Sequence, residues 1–371
     1  MIFLSDLASR FSGVLFYFFS FLLIISIVIF IHEYGHYIAA KICKVKVELF
    51  SIGFGPEVIG FNDKSGTRWK FSAIPAGGYV KMLGDTKDNE KILTDEEKLH
   101  SFYNKPLYKK AIIVFAGPLA NIILTVLIFT ILFYTHGNYQ TPPIIGQVLN
   151  DNAAERSGLL PKDVIISVDG QKIKYFEDVK RIVMLSPGIK LEIKYKRDGH
   201  EYKTNIMPEV IDNKDMFGNK VKVGFIGVLP YDSQSFVRLS IFDATIKSLT
   251  ETYNLAKFTL SAIGQIIKGH RDIKELGGPI KIAQHSGQSM KRGFFVVLSF
   301  IAMISINLGI MNLLPIPMLD GGYLFQYIVE AALRRSLNPK IQTYAAAVGT
   351  VFLLSLMAFA TFNDIRHILI K

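Results

Sequence analysis

Residues 14–41 read VLFYFFSFLLIISIVIFIHEYGHYIAAK, and this stretch decides the fold. A continuous apolar run leads into His32, Glu33 and His36, which stand at the spacing HExxH. The charge-free part, Phe11 to Ile31, has 21 residues, and about 20 helical residues cross a hydrocarbon core of about 30 Å. The stretch therefore predicts a transmembrane helix with three ionisable side chains near its end.

Three further blocks lack Asp, Glu, Lys and Arg and are long enough to span a membrane: residues 111–135, 293–319 and 341–363. A cleaved signal peptide is disfavoured for the first block, because the apolar core of such a peptide has only about 7–15 residues. Half of the 371 residues are apolar, and 42 Lys+Arg against 31 Asp+Glu give a net charge of +11. The sequence predicts a polytopic α-helical membrane protein with four transmembrane helices, and its single cysteine excludes a disulfide framework.

The HExxH pattern is typical of a metal site. His32 and His36 share one face of a helix, so both imidazoles can reach one ion. Glu33 beside them is placed to take a proton from a water molecule at that ion. The helical rise puts His36 about 7 Å and His32 about 13 Å inside Lys41. At this depth ionisable residues are costly and usually functional. The alternative is that the three side chains only satisfy one another in a helix bundle.

A third protein ligand is expected, because catalytic zinc takes three and keeps one position for water. The sequence NLLPIPMLDGG, residues 312–322, has Asp320 as its only charged residue. Pro315 and Pro317 break the helix, which is tolerated at membrane depth only where the backbone is buried in protein or lines a watery cavity. Spans one and three run in the same direction, so Asp320 approaches the side where the histidines lie. A kinked helix with an interfacial aspartate is the alternative.

These elements, HExxH on the first span and N-x-x-P-x-P-x-L-D-G-G on the third, resemble the site-2 protease family of intramembrane zinc metalloproteases. Within it, the resemblance is to the bacterial type that clips membrane-anchored anti-sigma factors. That type carries two PDZ domains in tandem, whereas this chain has room for one. Further family signatures stand along the chain: GFGP (53–56), IPAGGYVKMLGD (74–85) and FAGPLAN (115–121).

The resemblance implies a zinc-dependent metalloendopeptidase, with Zn²⁺ as its cofactor. It implies that the zinc ligands are His32, His36 and Asp320 and that Glu33 is the general base. It also implies that Asn312 contacts the substrate near the scissile bond.

Residues 46–83 alternate like strands between Gly and Pro, which predicts a small sheet of hairpins. In the family this β loop dips into the membrane beside the metal, where one strand can pair with an extended substrate. Gly77 and Gly78 would permit close approach there, although a plain cytoplasmic hairpin is an alternative. On the second span, Asn121 is a further candidate for the substrate site. It could hydrogen-bond a neighbour of the zinc site or the unwound third span, or serve helix packing alone.

The middle of the chain resembles a protease-type PDZ domain. Residues 142–173, PPIIGQVLNDNAAERSGLLPKDVIISVDGQKI, match its first half. The pattern predicts an inserted extracytoplasmic α+β domain over 137–233, with a groove near 142–146 and the helix at 176–185. PDZ domains bind extended peptides by strand addition, and a spacer without a ligand is the alternative. Residues 234–292 have apolar positions at helical spacing, which predicts amphipathic helices at the membrane surface.

The short loop with Arg334, Arg335 and Lys340 is predicted to be cytoplasmic, which places the zinc site near the cytoplasmic face of a bacterial inner membrane. The expected segments are a first transmembrane helix (1–45), the β loop (46–106), a second helix (107–136), the PDZ domain (137–233), amphipathic helices (234–292), a third transmembrane segment (293–326), and a cytoplasmic loop with the fourth helix (327–371). Expected partners are the lipid bilayer, single-span membrane proteins already trimmed outside (an anti-sigma factor or remnant signal peptides) and a peptide at the PDZ groove. The chain has no nucleic-acid module. A non-catalytic PDZ membrane adaptor is the rival function.

Overall fold

Among the residues that the structure describes, four helices are long and apolar enough to cross a membrane: Ser12–Ile42, Leu107–His136, Phe294–Asn312 and Lys340–Arg366. They lie where the sequence predicts four spans. The computed structural model describes residues 2–85, 93–214, 220–231, 235–269 and 277–369. The chain divides into two units, residues 1–132, 244–267 and 276–371 in one and residues 133–243 and 268–275 in the other.

The helices are α1 (Ile2–Ile42), α2 (Asp95–Lys98), α3 (Leu107–His136), α4 (Ala153–Arg156), α5 (Phe176–Met184), α6 (Ile241–Ile267), α7 (Pro279–Arg292), α8 (Phe294–Asn312), α9 (Asp320–Leu333) and α10 (Pro339–Leu369). The strands are β1 (Val47–Asn62), β2 (Arg68–Met82), β3 (Asn138–Gln140), β4 (Ile145–Val148), β5 (Val164–Val168), β6 (Gln171–Lys172), β7 (Leu191–Arg197), β8 (His200–Ile206), β9 (Glu209–Lys214), β10 (Lys220–Phe225), β11 (Val228–Pro230) and β12 (Ser235–Val237).

The third apolar block forms a shorter helix than its composition predicts. α8 ends at Asn312, because Pro315 and Pro317 lack the N–H groups that would continue its ladder. A tight non-helical loop follows, and a new helix, α9, begins at Asp320. Gly321 makes this turn feasible, since a Cβ there would lie 2.3 Å from two carbonyl oxygens of the loop. The break therefore places the aspartate at the start of a helix rather than inside one.

β1 and β2 form a small sheet to which each strand contributes two separate segments. Residues 49–52 pair with residues 78–81 on one side and with residues 68–71 on the other. Residues 57–62 pair with residues 68–72. Residues 78–81 therefore form an edge of the sheet, and within the described ranges no strand pairs with their outer side. The sequence predicts a small sheet of hairpins here, and β1 and β2 form such a sheet.

The turn between β1 and β2 is fastened to α1 by Asp63. Its carboxylate accepts hydrogen bonds from the Tyr37 hydroxyl (2.9 Å) and the Trp69 indole (3.1 Å). Two backbone N–H groups of its own turn also donate to it. Because Tyr37 directly follows His36 on α1, these bonds hold the sheet beside the histidines.

α7 is capped by a buried aspartate of α10. The backbone N–H groups of Gly278, Ile280 and Lys281 donate to the carboxylate of Asp364 at 3.0–3.1 Å. The ammonium of Lys281 lies 3.7 Å from the same carboxylate, and both side chains are buried. The first N–H groups of a helix lack partners within it, so Asp364 joins the start of α7 to the last span.

The unit of residues 133–243 and 268–275 is an α+β domain, as its sequence predicts. Its main sheet has the order β6–β5–β7–β8, and β4 pairs with β11. Apolar side chains from several of these strands and from the loop after α4 form its core, including Ile145, Leu159, Ile165, Leu191 and Ile193.

Candidate metal centre

Two helices bring three metal-binding side chains together. Nε2 of His32 and Nε2 of His36, one turn apart on α1, are separated by 3.3 Å. Oδ2 of Asp320, at the start of α9, lies 3.1 Å from Nε2 of His32, and Oδ1 lies 3.5 Å from Nε2 of His36. Both imidazoles are buried, and the aspartate side chain is 17% exposed. The donor atoms therefore converge on one protected point.

The spacing of these donors fits zinc. Zinc–ligand bonds of about 2.0–2.2 Å imply distances of about 3.3–3.6 Å between two ligands of a tetrahedral ion. The two histidine nitrogens are 3.3 Å apart, Oδ2 of Asp320 lies 3.1 Å from the first and Oδ1 lies 3.5 Å from the second. One donor atom from each residue can be chosen so that all three lie within 4.8 Å of one another. The chemistry of the donors also fits, because two imidazoles and one carboxylate leave a fourth position open. His32, His36 and Asp320 could hold the ion, and this role stays a prediction.

The proton on His36 is fixed by α3. Nδ1 of His36 lies 2.8 Å from the backbone oxygen of Ile113. A carbonyl only accepts hydrogen bonds, so Nδ1 carries the proton and Nε2 presents its lone pair. That lone pair faces the other imidazole and the carboxylate, and a cation between them would relieve the crowding of electron pairs.

Two glycines let α1 and α3 approach this closely. A Cβ at Gly117 would lie 2.3 Å from Nε2 of His36, and a Cβ at Gly35 would lie 2.3 Å from the backbone oxygen of Ala116. That an imidazole fills the space at Gly117 was not anticipated from the sequence. The spacing of four between residues 113, 117 and 121, which matches that between the histidines, was the available signal. No sequence signal could identify the backbone carbonyl of Ile113 as the partner of His36, because every residue has such a carbonyl.

Two asparagines contact opposite nitrogens of the His32 ring. Nδ2 of Asn312, the last residue of α8, lies 3.2 Å from Nε2. Nδ2 of Asn121 on α3 lies 3.4 Å from Nδ1. Asn312 is partly exposed, whereas Asn121 is completely buried. The substrate contacts predicted for both residues remain predictions, and the structure places both within reach of the metal centre.

Glu33 lies against the edge of the β sheet. A Cβ at Gly78 would lie 2.9 Å from Cγ of Glu33, so β2 runs directly along the stem of this side chain. The space at Gly77 is filled by the ring of Phe54, whose Cε2 lies 2.3 Å from the place of a Cβ. The space that the missing side chains of Gly77 and Gly78 leave is thus occupied by Phe54 and Glu33 of the same chain. The free edge at residues 78–81 consequently passes beside the proposed general base.

The chain resembles known metalloproteases over nearly its whole length. A family model described as "Peptidase family M50" matches residues 20–356. The protein named "Putative zinc metalloprotease Atu1380" of Agrobacterium fabrum is 39% identical over 359 residues, covering 94% of this chain and 95% of that protein. "Metalloprotease MmpA" of Caulobacter vibrioides is 31% identical over 379 residues, covering 94% and 95%.

A solved structure resembles a part of the chain. The PDZ domain of an SdrC-like protein from Listeria monocytogenes covers 26% of this chain and 92% of its own, with 21% identity and a TM-score of 0.20. So low a score does not decide the fold, and the PDZ assignment continues to rest on the sequence pattern.

Proposed function

Because this chain belongs to peptidase family M50, the site-2 protease family, we propose that it cleaves peptide bonds in or near the transmembrane segments of single-span membrane proteins. Membership makes the chain a zinc-dependent metalloprotease, and four apolar helices indicate an integral membrane protein. One observation carries the proposal. Donor atoms of two histidines on the apolar helix α1 and of an aspartate after the break that follows α8 lie within 4.8 Å of one another, which supports a zinc site there.

The side chains divide the chemistry among them. His32, His36 and Asp320 would hold the ion, and Glu33 stands next to the first ligand. Zinc, when bound, acts as a Lewis acid that polarises a peptide carbonyl and acidifies water. Glu33 takes the proton of the attacking water and returns it to the leaving amine. The amide of Asn312, beside the His32 ring, is placed to orient the substrate carbonyl.

The edge of the β sheet at residues 78–81 is the proposed binding site for the substrate backbone. A transmembrane helix must unwind before its backbone can be cut, and its freed N–H and C=O groups then need partners. Strand addition to residues 78–81 would provide these partners. The contact between Gly78 and the stem of Glu33 supports this proposal, because it would put a paired substrate backbone beside the general base.

The topology restricts the substrates. The basic loop at Arg334, Arg335 and Lys340 favours a cytoplasmic position for the zinc side of a bacterial inner membrane and an external position for the PDZ domain. The resemblance to the site-2 proteases implies that the substrates are single-span proteins whose external parts have already been trimmed, such as an anti-sigma factor or remnant signal peptides. The PDZ domain would keep bulky untrimmed proteins away or bind their new carboxyl ends.

The test uses purified full-length protein in detergent with a model transmembrane peptide. The wild type is expected to cut the peptide, to stop when a chelator removes zinc and to resume when zinc is returned. Glu33→Gln should bind zinc and lose cleavage, whereas Glu96→Gln, the same change on the exposed helix α2, should cut normally. Full activity of Glu33→Gln would contradict the base assignment. A wild type that binds zinc but cuts no such peptide would favour the non-catalytic PDZ adaptor.

A further inference from the structure

One stripe of α3 faces both histidines of α1. Ile113, Gly117 and Asn121 recur every four residues and so share a helix face, as do His32 and His36. Ile113 and Gly117 contact His36, and Asn121 contacts His32. The two helices therefore run past each other in opposite directions with matched spacing, and each imidazole has its own neighbour on α3.

The geometry points to Asn121 as a positioning residue that holds the proton of His32 on Nδ1, so that Nε2 is left for the metal. This inference rests on the proposed zinc site. A histidine that binds zinc through one nitrogen carries a proton on the other and needs an acceptor for it. Ile113 supplies the acceptor for His36, and the carboxamide of Asn121 faces the corresponding nitrogen of His32 at 3.4 Å.

The orphaned oxygen of Asn121 identifies the acceptor. Oδ1 of Asn121 is buried and has no hydrogen-bond partner among the described residues. A half-turn of the carboxamide exchanges its oxygen and nitrogen without changing its shape. With Oδ1 turned towards His32, the Nδ1–H group donates to it. That rotation gives the buried oxygen a donor, moves Nδ2 to the place where Oδ1 stood, and leaves Nε2 of His32 with the lone pair that zinc requires.

The surroundings of Asn121 suit a positioning role. Its backbone oxygen accepts hydrogen bonds from the hydroxyls of Thr125 and Ser305, each at 2.9 Å. A Cβ at Gly309 of α8 would lie 3.4 Å from the Cβ of Asn121, so α8 packs directly over it. Asn121 has 0% exposure, so its side chain is enclosed by other residues of the chain. α3 and α8 hold it against the ring.

The test compares zinc affinity among variants of the full-length protein in detergent, by competition with a chromophoric chelator. Asn121→Leu keeps the approximate shape and removes the acceptor, and it is expected to weaken zinc binding 10- to 100-fold, as the loss of an outer-shell partner does. Asn121→Asp keeps the acceptor oxygen and is expected to bind zinc within a few-fold of the wild type. Thr130→Val, also on α3, controls for loss of a polar group on that helix. Co²⁺ absorption spectra give a second readout, altered for Asn121→Leu and retained for Asn121→Asp.

The outcomes separate the inference from the proposed function. If Asn121→Leu and Asn121→Asp both bind zinc like the wild type, or both lose it equally, then Asn121 does not act as an acceptor for His32 and the inference is overturned. If Asn121→Leu does not fold, Asn121→Ala replaces it with the same expected loss and adds no volume. His32→Ala should abolish zinc binding. If His32→Ala bound zinc like the wild type, the zinc site itself would be refuted.

Discussion

Replacing Gly117 with alanine is expected to lower the affinity for zinc without unfolding the protein. The new Cβ would lie 2.3 Å from Nε2, 2.5 Å from Cε1 and 2.9 Å from Cδ2 of the His36 ring. Ordinary contacts begin at 3.4 Å, so the ring and the helix must separate by about 1 Å. Metal sites tolerate about 0.2 Å in their ligand distances. The ring has little freedom to move, because it is buried and its Nδ1 is bound to Ile113 at 2.8 Å.

The size of the effect follows from this displacement. Losing the alignment of one ligand should lower zinc affinity at least as much as losing an outer-shell partner, which costs about 10- to 100-fold. Alanine is favoured over glycine by about 1 kcal/mol in a helix interior, which offsets part of the roughly 1–3 kcal/mol that overpacking costs. The zinc-free protein should therefore still fold with at most a modest loss of thermal stability, while its zinc affinity falls.

The assay measures zinc per protein after equilibration with graded chelator, together with the melting temperature of the zinc-free protein and peptide cleavage. Gly264→Ala on α6 is the matched control, because no heavy atom lies within 4 Å of its new Cβ. The control should keep zinc and activity. If Gly117→Ala retained wild-type zinc affinity and cleavage, the close packing of α3 on the His36 ring would not constrain the metal, and the reasoning would fail.

Three further changes test other contacts. Gly78→Ala should displace the stem of Glu33, lowering kcat several-fold or more with zinc content unchanged; a loss of zinc instead would place the effect at the ligands. Asp364→Leu should destabilise the protein by about 3–5 kcal/mol, because it removes one member of a buried ion pair and the acceptor of three N–H groups at the start of α7; thermal unfolding checks this, and an unchanged melting temperature would contradict it. Burial raises the pKa of Asp63, but hydrogen bonds from neighbouring hydroxyl, indole and amide groups hold it well below its usual range. Its stabilisation is therefore present above about pH 4 and fades as the pH falls further, so the stability gap between wild type and Asp63→Ala should narrow in acid; a gap independent of pH would refute the assignment.

Much of the metal centre could be anticipated from local sequence. His32 and His36 stand four residues apart on a continuous apolar helix, and helical periodicity alone puts them on one face. Asp320 follows two prolines that end α8, and the depth argument matched it to the histidines. The length of the third helix was overestimated, because composition counts apolar residues and does not register that the backbone of residues 313–319 has left the helix.

The sequence by itself determined the four apolar helices, the shared helix face of His32 and His36 and the break before Asp320, because each follows from the composition or spacing of residues close along the chain. Only the tertiary structure decided that Gly117 makes room for an imidazole, that Ile113 fixes its proton and that β2 runs along Glu33. These contacts join residues that are far apart in the chain. Their distances are set by how closely helices and strands pack, which no local pattern encodes.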